Sequence, residues 1–193
     1  MNTLRRPLLL LALAAAAAML PGCATRDRDH RILVSVPDQQ MVVLHNGDPV
    51  ARYPISTSKF GIGDEPGSNA TPPGRMEVAR KIGSGLPAGS VLKDRKPTGE
   101  ILPPNAPGRD PIVTRILWLR GLESANRNAF PRYIYIHGTP EERTLGTPAS
   151  YGCIRMRSQD VVELFDRVGT GATVEVRPEP LSALVPTPSN TGG

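Results

Sequence analysis

The stretch YIYIHGT occupies residues 133–139, and the stretch SYGCIRM follows it at residues 150–156. The aromatic and β-branched residues of the first stretch indicate a buried β-strand that ends at His137. The second stretch carries Cys153, sixteen positions after that histidine. A nearby imidazole can take the proton of a thiol and so activate the sulfur as a nucleophile. Because a loop of this length can fold back on itself, we predict a Cys–His nucleophilic site.

Two neighbours of the cysteine fit the same chemistry. Gly152 allows the backbone to approach a substrate closely, and its N–H, together with that of Cys153, can stabilise an oxyanion. Arg155 is a natural partner for a substrate carboxylate, because its planar guanidinium binds such groups through two parallel hydrogen bonds. A structural ion pair is the alternative role for this arginine.

The rest of the chain predicts further strands around this pair. Apolar residues alternate from Ile32 to Val36, and Asn46-Gly47 is a strong hairpin signal between two strand-like runs. Ser158 is a good helix N-cap, and the apolar residues that follow it recur at helical spacing. The Gly- and Pro-rich residues 57–75 and 83–111 are predicted loops. The predicted strands cover residues 32–36, 41–45, 50–56, 76–81, 112–119, 133–136 and 172–176, and the predicted helix covers 159–168.

The composition excludes several classes of protein. The 193 residues are 39% hydrophobic and include 21 prolines and 19 glycines, which is typical of one globular domain with many loops. Aromatic residues make up 4%, too few for a base-stacking platform, so no nucleic-acid partner is expected. Two cysteines exclude a disulfide-rich scaffold and a four-cysteine zinc site, and three histidines leave little room for a His-rich metal centre. We therefore expect no metal centre.

The N-terminus has the pattern of an export signal. Two arginines precede an apolar run at residues 8–20, which is shorter than the roughly 20 residues of a membrane-spanning helix. The run ends in LPGC at residues 20–23, which resembles the signal of bacterial lipoproteins and implies a lipid on Cys23. An ordinary signal with a chance cysteine is the alternative. In that family of signals, Ala24 after the cysteine favours anchoring in the outer membrane, facing the periplasm.

These signals divide the chain into four parts: a signal peptide at 1–22, a tether at 23–30, a catalytic domain at 31–177 and a disordered tail at 178–193. If Cys23 carries a lipid, Cys153 has no partner for a disulfide within the chain. A lone thiol is a liability in an oxidising compartment, so its presence there favours a chemical role.

The two stretches of the opening resemble the signature of the L,D-transpeptidases, whose catalytic domain is of the YkuD type. Ser56-Thr57, TPPG at 71–74 and ILWLRGLE at 116–123 resemble the same family, so that the similarity spans about residues 31–177. The resemblance implies a mainly β fold. This is a β-sandwich with one short helix in the C-terminal half, long loops and the site in a groove.

The resemblance also implies a reaction. Cys153 attacks the carbonyl after the third residue of a peptidoglycan tetrapeptide stem, a diaminopimelate, and D-Ala leaves as a thioester forms. An amine from a second stem then resolves the thioester and creates a 3→3 cross-link. The resemblance implies that this reaction needs no metal and no organic cofactor. β-Lactams of the carbapenem type are expected to acylate the same thiol.

The family's remaining roles fall on residues of the two stretches. His137 is the general base and acid, and either the Gly138 carbonyl or Ser150 orients its imidazole. The N–H groups of Gly152 and Cys153 form the oxyanion hole.

Three alternatives remain open at this point. Water can resolve the thioester, which makes the protein an L,D-carboxypeptidase or another hydrolase. A lysine amine of an envelope lipoprotein can be the acceptor, so that the same site attaches or releases a protein. The third alternative is a catalytically inactive lipoprotein that only binds peptidoglycan. Transfer and hydrolysis proceed through the same acyl-enzyme, so the types of residue in the motif do not distinguish the two reactions.

Overall fold

A computed structural model describes residues 26–185, in which the chain forms ten β-strands and two α-helices. No helix in this part of the chain combines the length and the hydrophobicity needed to cross a membrane. The elements are β1 (His30–Ser35), β2 (Gln40–His45), β3 (Asp48–Pro54), β4 (Gly74–Ile82), β5 (Ser90–Lys93), β6 (Lys96–Ile101), β7 (Val113–Gly121), β8 (Tyr135–Gly138), β9 (Ile154–Met156), α1 (Ser158–Arg167), β10 (Thr173–Arg177) and α2 (Leu181–Leu184).

The strands form one mixed sheet in the order β3-β2-β1-β10-β4-β7-β5-β6, with β8 paired to β7 and β9 paired to β8. Only the pairs β1–β10 and β8–β9 are parallel among these strands. The predicted mainly β fold is confirmed. The expected strands and the helix are present within two residues of their predicted ends.

The sheet encloses one main core, which explains the apolar pattern of the first strands. In β1, Ile32 and Val34 point into the main core, whereas Leu33 packs on the other face against Val42 and Leu44. Strands that are buried on both faces read as continuous apolar runs. Helix α1 adds Val161, Leu164 and Phe165 at helical spacing, and each such buried side chain stabilises the fold by about 1.5–3 kcal/mol.

The predicted hairpin turn is confirmed. Asn46 and Gly47 have φ angles of 53° and 96°, which are close to those of a type I′ turn. This turn joins β2 to β3 in antiparallel register.

The sequence predicts a loop for the whole of residues 83–111. The structure differs here, because β5 and β6 form a hairpin within this region. Every residue of β6 is exposed, and the strand contains both Pro97 and Gly99. An exposed edge strand buries no alternating face, so it has no apolar periodicity to detect.

Parts of the predicted tether and of the predicted tail pack against the domain. Asp27 accepts a hydrogen bond from the Gly169 N–H at 2.6 Å, and β1 already begins at His30. At the other end, Leu181 of α2 is buried against Leu33, Val42 and Leu44. The predicted signal peptide, Cys23 and the tail beyond residue 185 lie outside the described residues.

The start of α1 also differs from the prediction. The N-cap is Arg157, and Ser158 is the first helical residue. The Ser158 N–H donates to Glu142 Oε1 at 2.9 Å. A carboxylate from a distant part of the chain therefore caps this helix, and sequence spacing does not reveal such a contact.

Candidate active site

The register of two short parallel strands brings the predicted histidine and cysteine together. In the β8–β9 pair, Ile136 lies beside Ile154 and His137 lies beside Arg155. Cys153 immediately precedes β9, so its position is next to Tyr135. Parallel strands need a crossover connection, and residues 139–153 provide it.

His137 and Cys153 line one cavity of about 150 Å³. Ser150 and Arg155 line the same cavity, so four of the residues that the sequence singles out meet there. No group of three or more His, Cys, Asp or Glu side chains between residues 26 and 185 is arranged to hold a metal ion. Three further residues complete the wall: Asp110, Ile112 and Tyr151.

The imidazole is held as a neutral base. His137 Nδ1 donates to the Gly138 carbonyl at 2.8 Å, so the hydrogen lies on Nδ1 and the Nε2 lone pair is available. His137 is buried, and this burial lowers its pKa from the ordinary value of 6.5, although the Gly138 carbonyl and Asp110 act in the opposite direction. Of the two predicted orienting groups, the Gly138 carbonyl is the one that contacts the ring.

The thiol is also neutral. Cys153 Sγ donates to the Tyr133 carbonyl at 3.5 Å and packs against a cluster that contains Trp118 and Tyr135. Burial raises the pKa of the thiol to about 11, despite the opposing charges of Arg132 and Arg155. The resting site therefore holds a protonated thiol and a neutral imidazole rather than a thiolate–imidazolium pair.

This charge state predicts how Cys153 reacts with a small alkylating agent. In His137→Gln no imidazole can take the proton, so only the thiolate reacts, and the rate with iodoacetamide should rise about tenfold per pH unit up to about pH 11. Mass spectrometry of the variant after timed alkylation measures this rate. A rate in the variant that is already half-maximal below pH 8 would contradict the raised pKa of the thiol.

Ser150 shapes the turn before the nucleophile. Its Oγ donates to the Cys153 carbonyl at 2.6 Å and accepts from the Gly152 N–H at 3.2 Å. Of the two predicted oxyanion donors, the Gly152 N–H is thus already engaged in this turn. Gly152 has a φ of 121°, which strongly favours glycine, and a Cβ there would lie 3.3 Å from the Ala70 carbonyl oxygen.

Arg155, which is buried, forms an ion pair with Asp110 at the more exposed wall of the cavity. Its Nη2 also donates to Ser56 Oγ at 3.2 Å and to Thr144 Oγ1 at 3.1 Å. In the structure, the carboxylate that this arginine holds is therefore the protein's own. Asp110 also accepts a hydrogen bond from the Thr139 hydroxyl. Nothing in the sequence singles out Asp110, because it lies in an irregular segment without a motif.

Gly138 has no room for a side chain. A Cβ at this position would lie 2.7 Å from the Val113 carbonyl oxygen and 3.1 Å from Thr114 Cβ. We expect Gly138→Ala to lower the free energy of unfolding by about 1–3 kcal/mol, as overpacking of a core does. Gly63→Ala is the matched control, because its Cβ would make an ordinary 3.4 Å contact. Urea denaturation measures both, and equal stabilities of the two variants would contradict the prediction.

Comparisons with known proteins agree with this arrangement. A family model for the YkuD L,D-transpeptidase catalytic domain matches residues 29–176. Among curated proteins of Escherichia coli, the probable L,D-transpeptidase YbiS is 38% identical over 52 residues, which cover 27% of this chain and 17% of that protein. The probable L,D-transpeptidase ErfK/SrfK is 40% identical over 50 residues, covering 26% and 16%. The aligned segments thus span less than a fifth of these relatives.

Solved structures share the fold. An L,D-transpeptidase from Enterococcus faecium matches with a TM-score of 0.51 and 19% identity, covering 78% of this chain and 50% of that chain. L,D-transpeptidase 3 from Mycobacterium tuberculosis, in complex with a faropenem-derived adduct, matches with a TM-score of 0.50 and 18% identity, covering 77% and 60%. The match to the family model covers most of the chain and both strands that carry the candidate nucleophile and base. This chain therefore belongs to the YkuD family of L,D-transpeptidase catalytic domains.

Proposed function

We propose that the protein is a cysteine-dependent L,D-transpeptidase that forms 3→3 cross-links between peptidoglycan stem peptides. The observation that carries this proposal is the shared cavity of His137 and Cys153, with Nδ1 of the histidine held by the Gly138 carbonyl. This hydrogen bond leaves the lone pair of Nε2 free, and we assign to Nε2 the role of base for the thiol.

The proposed reaction has two half-reactions. In the first, His137 takes the Sγ proton as Cys153 attacks the carbonyl of the third stem residue. The C–N bond to D-Ala then breaks, and the imidazolium returns the proton to the departing amine. In the second, an acceptor amine attacks the thioester and loses a proton to His137. The amide forms, the C–S bond breaks and the thiol regains its proton.

The same nucleophile would react with strained acyl compounds. The related protein from Mycobacterium tuberculosis has been solved with a faropenem-derived adduct. We propose by analogy that carbapenems acylate Cys153, since opening of the β-lactam ring leaves the acyl group on the sulfur.

Product analysis tests the proposed function and separates its alternatives. The purified full chain is incubated with disaccharide-tetrapeptide, and the products are identified by mass spectrometry. A 3→3 dimer together with released D-Ala supports the transpeptidase. Tripeptide monomer alone would show a carboxypeptidase, and a stem attached to an added envelope lipoprotein would show protein attachment. No turnover with any acceptor would leave a binding protein.

We also propose that the protein is an exported lipoprotein anchored in the outer membrane through Cys23. The support is the basic start, the apolar run at 8–20 and the LPGC stretch at 20–23. Cys23→Ala is then expected to move the protein from the membrane fraction of cells to the soluble or unprocessed fraction. Unchanged membrane association and unchanged mass of the mature chain would contradict lipidation.

A further inference from the structure

A second cavity adjoins the candidate nucleophile. It has a volume of about 310 Å³ and is lined by Leu92, Asp94, Arg95, Ile112, Tyr133 and Tyr135. Ile112 lines both this cavity and the one that holds His137. Cys153 Sγ donates to the carbonyl of Tyr133, and Cys153 packs on the same apolar cluster as Leu92 and Tyr135. The thiol therefore lies in the first cavity and contacts residues that line the second.

Arg95 is the cation of this second cavity. Its guanidinium lies 5.1 Å from the Tyr133 ring centroid and 5.4 Å from that of Trp118, and Nη1 donates to the Tyr135 hydroxyl at 3.4 Å. No Asp or Glu within residues 26–185 forms an ion pair with it, whereas Arg120 and Arg132 pair with carboxylates. The aromatic rings hold the guanidinium in place and leave its other N–H groups available.

The tip of the β5–β6 hairpin presents this arginine. Asp94 and Arg95 have φ angles of 50° and 67°, so two residues other than glycine adopt the left-handed conformation in succession. Such positions are unfavourable, and a tight turn would ordinarily use glycine there. The turn keeps a long cationic side chain at the position that faces the cavity. Asp94 also lines the cavity, but it is exposed, so solvent screens its charge.

We propose that the Arg95 cavity binds the carboxylate next to the reacting amine of the substrates. This inference rests on the proposed function. The departing D-Ala carries a carboxylate one carbon from its nitrogen, and so does the amino-acid centre of a diaminopimelate acceptor. Because the leaving and the entering amine exchange protons with the same imidazole, both occupy the same position. One guanidinium can therefore hold the carboxylate in both half-reactions.

The test compares two donor peptides. One is the tetrapeptide with a free C-terminal D-Ala carboxylate, and the other has the same sequence with a C-terminal carboxamide. The kcat/KM for release of D-Ala or its amide is measured for the unmodified full chain and for Arg95→Gln. We expect the unmodified protein to prefer the carboxylate by about 10–100-fold, the effect of a hydrogen bond to a charged group. Arg95→Gln should lose most of this preference.

Arg80→Gln is the matched control. The Arg80 guanidinium lies 5.4 Å from the same Trp118 ring, but Arg80 does not line the cavity. The Arg80→Gln variant should therefore keep the preference for the carboxylate peptide. Arg95→Lys should retain part of it, which separates the loss of charge from the loss of packing. Full preference in Arg95→Gln, or none in the unmodified protein, would overturn the proposal.

A binding measurement separates failure of this inference from failure of the proposed function. Calorimetric titration of Cys153→Ala with the two peptides needs no turnover. Tighter binding of the carboxylate peptide to Cys153→Ala than to the double variant that also carries Arg95→Gln supports the carboxylate site even if no transfer occurs. Equal binding of both peptides to both proteins would overturn it even if cross-links form.

Discussion

Replacement of Cys153 by alanine is expected to abolish both D-Ala release and cross-link formation, by at least about ten thousand-fold. The proposed covalent route passes through a thioester on Cys153, and removal of a nucleophile in such sites costs rate factors of this size or more. The measurement is the rate of D-Ala release from a tetrapeptide, together with the mass of the acylated protein after addition of a carbapenem.

Cys23→Ala is the matched control for this prediction, because it makes the same side-chain change far from the motif in sequence. It should leave the rate of the purified protein within about twofold, as expected of a change outside the reacting site. Carbapenem should add its mass to Cys23→Ala and not to Cys153→Ala. Residual D-Ala release above a hundredth of the starting rate in Cys153→Ala would exclude the proposed thioester.

The sequence predicts the elements that bury one alternating face or both faces. β1 and β2 carry continuous apolar residues because both of their faces are covered, and α1 carries its apolar residues at helical spacing. β6 could not be predicted in this way, since all six of its residues are exposed and only its pairing with β5 makes it a strand. An apolar pattern in the sequence indicates which residues are buried. A solvent-exposed hairpin buries no apolar face, so the sequence shows no such pattern there.

The same distinction applies to the site. His137 and Cys153 could be selected because their spacing and flanking glycines form a motif, and the β8–β9 register brings them together. Asp110 could not be selected, since its significance arises only from Arg155, which is 45 positions away in the chain. The motif also includes Ser150, but the two hydrogen bonds of its hydroxyl stay within the turn that carries the nucleophile. A motif identifies reacting groups, whereas long-range partners require coordinates.

The neutral state of both reacting groups has a consequence for the mechanism. With a thiol pKa of about 11, only about one thiol in ten thousand is ionised at pH 7. A site with a preformed thiolate would depend little on its histidine for the first step. Here the proton must leave the sulfur during the attack, so the base determines the rate.

His137→Gln is therefore expected to lower the rate of D-Ala release at pH 7 by about a hundred- to ten thousand-fold, the usual contribution of a general base. The unmodified protein needs neutral His137, whose pKa lies below 6.5, so its rate should be level above that pH and fall about tenfold per unit in more acidic solution. The variant depends on free thiolate, so its rate should rise about tenfold per unit towards pH 11. The ratio of the rate of D-Ala release in the unmodified protein to that in His137→Gln should therefore decrease as the pH rises.

His45→Gln is the control, because His45 is exposed and stacks on His30 with ring centroids 4.7 Å apart. Its pH–rate profile should match that of the unmodified protein. A His137→Gln profile parallel to the unmodified one would show that the imidazole does not take the thiol proton. An unmodified profile that itself rises tenfold per unit above pH 7 would show that attack proceeds from free thiolate. A level region is the profile expected when the neutral imidazole takes the proton of the neutral thiol during the attack, which is the charge state that the directions of both pKa shifts favour.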